Sequence, residues 1–218
     1  MSLNSAVELI RFDSKEALLE SRGQNGSLSD ADLNYTDLSG LDLSGLDLSG
    51  ANISFSRLND ACFDSCDLSD TFFQDADWIR VSFKGANLDN AFIQRVDLRN
   101  ACFERASMES SQILLCNLQN SQFNSAQLSD IQILDSNLSQ ADFSGADLSD
   151  SELSSSNLEQ TRFSHTNLKN ADLRKTALGQ AIFENVQTEG VLYYGKSPWD
   201  GRSLDEDWSK KLKSFDGE

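Results

Sequence analysis

The sequence predicts an all-β fold: a four-sided β-solenoid of about eight coils, closed at each end by a short helical cap. Three observations carry this. Apolar residues recur at every fifth position without a slip, phenylalanine recurs at every twentieth, and the 218-residue chain holds a single proline, Pro198.

From Leu28 to Phe183, 32 successive positions spaced five apart are all apolar. In a helix, five steps of about 100° rotate the side chain by roughly 140°, so no single face is served. In a strand an odd period throws successive side chains to opposite sides. The pattern works only if the chain turns every five residues. Two residues before each apolar centre stands a mostly small residue, such as Ala31, Ala51, Ser56, Ala61, Cys66 or Ala86. Small and large residue point inward together, and the Asp or Asn between them points out. The next two residues, commonly Ser-Asp, Ser-Gly or Gln-Asn, form the corner.

The number of corners per coil follows from Phe63, Phe83, Phe103, Phe123, Phe143, Phe163 and Phe183, which recur every 20 residues. Twenty residues make four sides of five. Coils stacked at about 4.8 Å give a rod on the order of 40 Å long. Proline is absent from the array because each side must donate its N–H groups to a neighbouring coil. Asn117, Asn137 and Asn157 align as a ladder of stacked amides.

An open solenoid exposes a sheet edge at both ends and needs caps. Residues 1–26 are assigned to an N-terminal cap, helical over 5–21. Ser5-x-x-Glu8 and Asp13-x-x-Glu16 are candidate capping boxes, Leu9, Ile10, Leu18 and Leu19 are apolar, and Gly23 and Gly26 end the element. The array occupies 27–195. Residues 196–218 form a C-terminal cap, with a capping box at Ser203–Glu206 and Lys210, Lys211 and Lys213 in the last turn. Leu204, Trp208, Leu212 and Phe215 make an apolar stripe there. This stripe reads either as a lid over the last coil or as a dimer contact.

The motif A(D/N)LXX, seen at Ala31-Asp32-Leu33, Ala86-Asn87-Leu88, Ala146-Asp147-Leu148 and Ala171-Asp172-Leu173, resembles that of the pentapeptide-repeat proteins. The resemblance covers about 160 residues without interruption. It implies a right-handed quadrilateral β-helix; the periodicity alone gives four sides but no hand.

Acids outnumber bases 35 to 18, for a formal net charge of −17. That charge opposes direct binding to nucleic acid or to an anionic membrane surface. No stretch approaches 18 apolar residues, so no spanning helix is expected. The side centred on Leu48 and Leu68 holds ten acids and one base, whereas each other side holds five acids and three bases. It presents Asp30, Asp47, Asp67, Asp70, Asp89, Glu109, Asp130, Asp147 and Asp150. These stand about 3 Å apart along the rod, close to the roughly 3.4 Å phosphate spacing of one DNA strand. The side reads as a DNA-like anionic track for a basic groove, or as a solvated face that aids solubility. Cation binding lacks the oxygen spacing of a calcium loop.

The side centred on Phe73 and Ile93 carries an outward apolar set: Phe55, Phe72, Phe92, Leu114, Leu115 and Leu134. An apolar patch of this size implies a partner, self-association, or a covering segment drawn from residues 1–26.

Cys62, Cys66, Cys102 and Cys116 lack C-x-x-C spacing, and His165 cannot complete a zinc site with them. They read as free buried thiols of a cytoplasmic protein. No P-loop, G-x-S-x-G elbow or dinucleotide turn is present, so no catalytic residue, cofactor or metal is assigned.

The sequence therefore points to a non-catalytic binding protein. The fluoroquinolone-protection branch of the resembled family implies DNA mimicry toward DNA gyrase or topoisomerase IV, by a monomer or a C-terminal-helix dimer. The alternative is a scaffold or regulatory protein that docks a partner through the Phe72/Phe92 face.

Overall fold

The computed structural model describes residues 9–21 and 27–194. The C-terminal segment with its Ser203–Glu206 box, and the Ser5-x-x-Glu8 box, lie outside the described residues.

The five-residue pattern becomes a turn because every fifth residue from Asp30 to Gly190 has a φ between +50° and +74°. No β-branched residue stands at any of these positions, where its Cβ substituents would clash. Gly50 is one site where only glycine fits, since a Cβ there would collide with the Asp30 carboxylate. Three of the four corners are closed by a four-residue turn, as in Ala31 N to Leu28 O (3.1 Å), Ala61 N to Leu58 O (3.0 Å) and Ala86 N to Phe83 O (3.0 Å).

Successive coils pair in parallel with an offset of 20 residues, from Ser27↔Asp47 to Asp172↔Leu192. The bonds run both ways between coils: Leu68 N donates to Asn87 O (2.6 Å) and Asn87 N to Cys66 O (2.9 Å). Every apolar centre from Leu28 to Leu178 is buried, and Phe183 is half-buried where the array ends. The phenylalanine column stacks face to face, with centroids 4.7 Å apart for Phe103–Phe123 and 4.6 Å for Phe123–Phe143. In the asparagine ladder Asn137 Nδ2 donates to Asn117 Oδ1 (3.2 Å), while Asn157 Oδ1 accepts from its own corner, at Glu159 N.

The fourth corner is different. After the column Leu33, Ile53, Phe73, Ile93, Ile113, Ile133 the turn opens and a hydroxyl or thiol from the next coil is inserted. Thr36 N donates to Ser56 Oγ (3.1 Å), which donates to Leu33 O (2.9 Å). Ser136 N and Ile133 O hold Ser156 Oγ in the same way, and Val96 N and Ile93 O hold Cys116 Sγ at 3.5 and 3.7 Å. Beside this open corner the chain is extended enough to form true strands: β3 (Phe72–Gln74), β4 (Phe92–Gln94), β5 (Gln112–Leu114) and β6 (Gln132–Leu134). Three of the four centres are isoleucine, whose branched Cβ favours the extended conformation.

At the N-terminal end the expected helix over 5–21 is corrected. Ile10–Arg11 is a strand, β1, paired in parallel with β2 (Thr36–Asp37) on the edge of the first coil. Phe12 N still bonds to Asp37 O, so the chain leaves the edge only at Asp13. Helix α1 then spans Lys15–Ser21, and its N-cap is Ser14, whose Oγ accepts from Ala17 N at 3.1 Å, rather than Asp13. Leu18 is fully buried and Lys15 Nζ donates to Ser44 O (2.7 Å), which seats α1 over the opening of the solenoid. The open sheet edge is covered from both backbone and core.

Candidate binding surfaces

On the acidic side, the nine carboxylates fall into two groups. Asp47, Asp67, Asp89, Asp147 and Asp150 accept hydrogen bonds from their own or a neighbouring coil. Asp47 takes Ser49 Oγ (2.7 Å) and Ser27 Oγ (2.8 Å), which hold its carboxyl below the usual aspartate range. Asp67 takes Ser69 Oγ (2.7 Å), Asp89 takes Ser107 Oγ (2.6 Å), and Asp147 and Asp150 take Asn167 Nδ2 (2.8 Å) and Asn170 Nδ2 (2.9 Å). These acids close corners and tie coils together as well as carrying charge.

Asp30, Asp70, Glu109 and Asp130 are exposed, and no hydrogen bond to their carboxylates is found among the described residues. They span five coil steps, so the free acceptors lie on the order of 8 Å apart, wider than the track as a whole.

The other sides neutralise themselves. Arg80 holds Asp60 (2.6 Å), Arg95 holds Asp75 (2.6 Å), Lys84 holds Glu104 (2.9 Å), Arg99 holds Asp97 (2.7 Å) and Arg174 holds Asp172 (2.5 Å). No acid of the Leu48 side takes part in any ion pair among the described residues. The concentration of charge is thus a concentration of uncompensated charge.

The apolar face lies on β3–β6. Phe72 and Phe92 pair at 6.3 Å, and Phe72 and Leu115 are each 53% exposed. Phe55, Phe92, Leu114 and Leu134 are half-buried. The patch is not one apolar sheet. Phe72 and Phe92 register with Gln112 and Gln132, while Leu114 and Leu134 register with Gln74 and Gln94. Two apolar clusters therefore sit diagonally between two glutamine pairs.

Tyr35, 41% exposed, stacks on Phe55 at 5.1 Å and 9°, and was missed because the search followed Phe and Leu; the spacing of 20 was the signal. Along the open corner runs a groove of about 630 Å³, lined by Asp75, Asp77, Arg95, Asp97, Leu115 and Asn117. Residues 9–21 sit over the first coil and leave this face uncovered.

Cys66 and Cys116 are buried, and burial pushes their thiols up to about 11 and about 12. Cys62 and Cys102 are only half-buried, at outward positions, which corrects the expectation that all four are buried. No group of His, Cys, Asp or Glu suited to a metal ion occurs among the described residues, and none of their helices is long and apolar enough to cross a membrane.

Residues 27–64, 66–105, 116–154 and 146–185 match the family model described as pentapeptide repeats, in eight copies. No protein of curated function matches. The fold is similar to that of QnrB1, a plasmid-mediated fluoroquinolone resistance protein. One trypsin-treated variant of it is 22% identical, with 78% of this chain and 86% of that chain covered and a TM-score of 0.53. A second is 18% identical over 86% and 92% of the two chains, at 0.50. HetL, involved in heterocyst differentiation regulation in the cyanobacterium Nostoc sp. strain PCC 7120, is 19% identical over 88% and 99%, at 0.33.

Proposed function

The chain belongs to the pentapeptide-repeat family, whose fold is the right-handed quadrilateral β-helix, and on that premise we propose that it is a non-catalytic binding protein whose acidic side occupies a basic nucleic-acid-binding site on a protein partner. One observation carries the reading: ten acids on one side of the rod find no ion pair, while the acids of the other sides are matched by their own arginines and lysines. Like charges stacked in this way repel along the coil axis and bring the fold no return, so a use outside the fold accounts for them. A type II topoisomerase is the first partner to test, because QnrB1 shares the fold.

The test is DNA gyrase supercoiling with and without a fluoroquinolone. It compares the protein with a variant carrying Asp70→Asn, Glu109→Gln and Asp130→Asn. The expected result is an effect of the parent protein that the variant loses. Absence of any effect from either removes topoisomerase as the partner.

A second reading rests on the other side. Phe72 and Leu115, each 53% exposed on a flat four-stranded sheet, support that face as a docking surface for a protein segment.

A further inference from the structure

We propose that the docking surface on β3–β6 is occupied by this chain's own C-terminal segment, Leu204–Phe215. The inference rests on the reading of that face as a docking surface and names its occupant.

Position comes first. The last described coil ends at Leu192, Tyr193 and Tyr194, and Leu192 still pairs with Asp172. Residues 192–194 therefore belong to the same side of the rod as Phe72, Phe92, Leu114 and Leu134. The chain continues for 24 residues past Tyr194, starting from the side that carries the patch.

Length agrees. Tyr193 stands three coil steps from Ile133, on the order of 14 Å, and the eight residues 195–202 can span roughly 26 Å when extended. Read as a helix, the stripe from Leu204 to Phe215 is about 16 Å long. The face from Leu134 to Phe72 is three coil steps, again on the order of 14 Å. The segment turns back at Pro198 and Gly201 and runs from the C-terminal coils toward β3.

Charge fixes the direction. The segment begins acidic, at Asp205, Glu206 and Asp207, and ends basic, at Lys210, Lys211 and Lys213. The face shows the opposite order along that path. Arg174 and Lys175 lie near the C-terminal coils, and Asp77 and Asp97 line the groove at the level of β3 and β4. Leu204, Trp208, Leu212 and Phe215 then meet the two apolar clusters, and the lysines meet the acidic groove.

Hydroxyl-radical footprinting of the full chain, with light scattering for its mass, tests this. Phe72 and Leu115 should be protected, and Trp208→Ser with Leu212→Ser should raise their labelling severalfold in a particle that stays monomeric. Both substitutions lie outside the repeat array, and an unchanged thermal transition shows that the rod is intact. Labelling of Phe72 and Leu115 that ignores the substitutions overturns the inference. If that labelling is low in both proteins, another occupant covers the face and the docking reading stands; if it is high in both, the face is bare. Protection that depends on Trp208 and Leu212 in a dimer places the segment on a second copy and overturns the assignment to its own chain.

Discussion

The side centred on Leu48 and the side centred on Phe73 share one backbone repeat and equally buried apolar centres, yet they present opposite chemistry. On the first, tight turns close each corner and carboxylates stack without bases. On the second, the corner opens, the side straightens into β3–β6, and aromatic, aliphatic and glutamine side chains replace the charge. In a solenoid the inward residues fix the coil and leave the outward ones free. Each side can therefore be written as a separate surface, and the difference between sides, rather than the fold, carries the function.

The largest effect expected comes from breaking what the two sides share. Phe123→Ala in the stacked column should cost roughly 3–5 kcal/mol in urea unfolding, because its neighbours are held by coil pairing and cannot collapse into the cavity. Trp78→Phe sharpens the point. Trp78 is fully buried and its Nε1 has no hydrogen-bond partner among the described residues. Removing an unmet donor offsets part of the lost packing, so this change should cost far less than Phe123→Ala in the same assay.

A change at the open corner touches the Phe73 side alone. Cys116→Ala removes the thiol that Val96 N and Ile93 O share and should destabilise by about 1–3 kcal/mol, whereas Cys116→Ser should retain most of the stability. Against this, the triple change at Asp70, Glu109 and Asp130 should leave the unfolding midpoint equal or slightly higher, since it removes repulsion and no contact.

Acidification separates the sides by sign. Asp75, through its bond to Arg95, and Asp47, through its bonds to Ser49 and Ser27, have carboxyls lowered in the folded state. Their stabilisation is complete above the unfolded value of about 3.9 and is lost as pH falls through the lower folded values. The urea midpoint should therefore drop below about pH 4, and Arg95→Met should reduce that drop by a small amount, as befits a partly exposed pair.

Much of this was legible in the sequence, for a physical reason. A period of five admits one geometry, so the columns, the four sides and the location of charge follow from counting. The open corner was legible too, though unread: Thr36, Ser56, Cys116, Ser136, Ser156 and Thr176 make one small-residue column rich in hydroxyls and thiol where the others hold mostly alanine. The strand at Ile10–Arg11 was not, because its partner is the edge of the first coil and a two-residue pairing leaves no periodicity. Nor could spacing separate Asp47, which ties Ser27 and Ser49, from Asp70, which faces water; that distinction depends on which way each carboxylate turns at the corner.

The most direct test of the central claim is competition for a basic site. Labelled duplex DNA is bound to gyrase at fixed low salt, and the protein is titrated in. The acidic-side reading predicts that the protein displaces the DNA, that displacement weakens as salt rises, and that the Asp70→Asn, Glu109→Gln, Asp130→Asn variant displaces it poorly while Phe72→Ser with Phe92→Ser does not change the result. Equal displacement by the parent and the acidic-side variant, or displacement that depends on Phe72 and Phe92 instead, contradicts it.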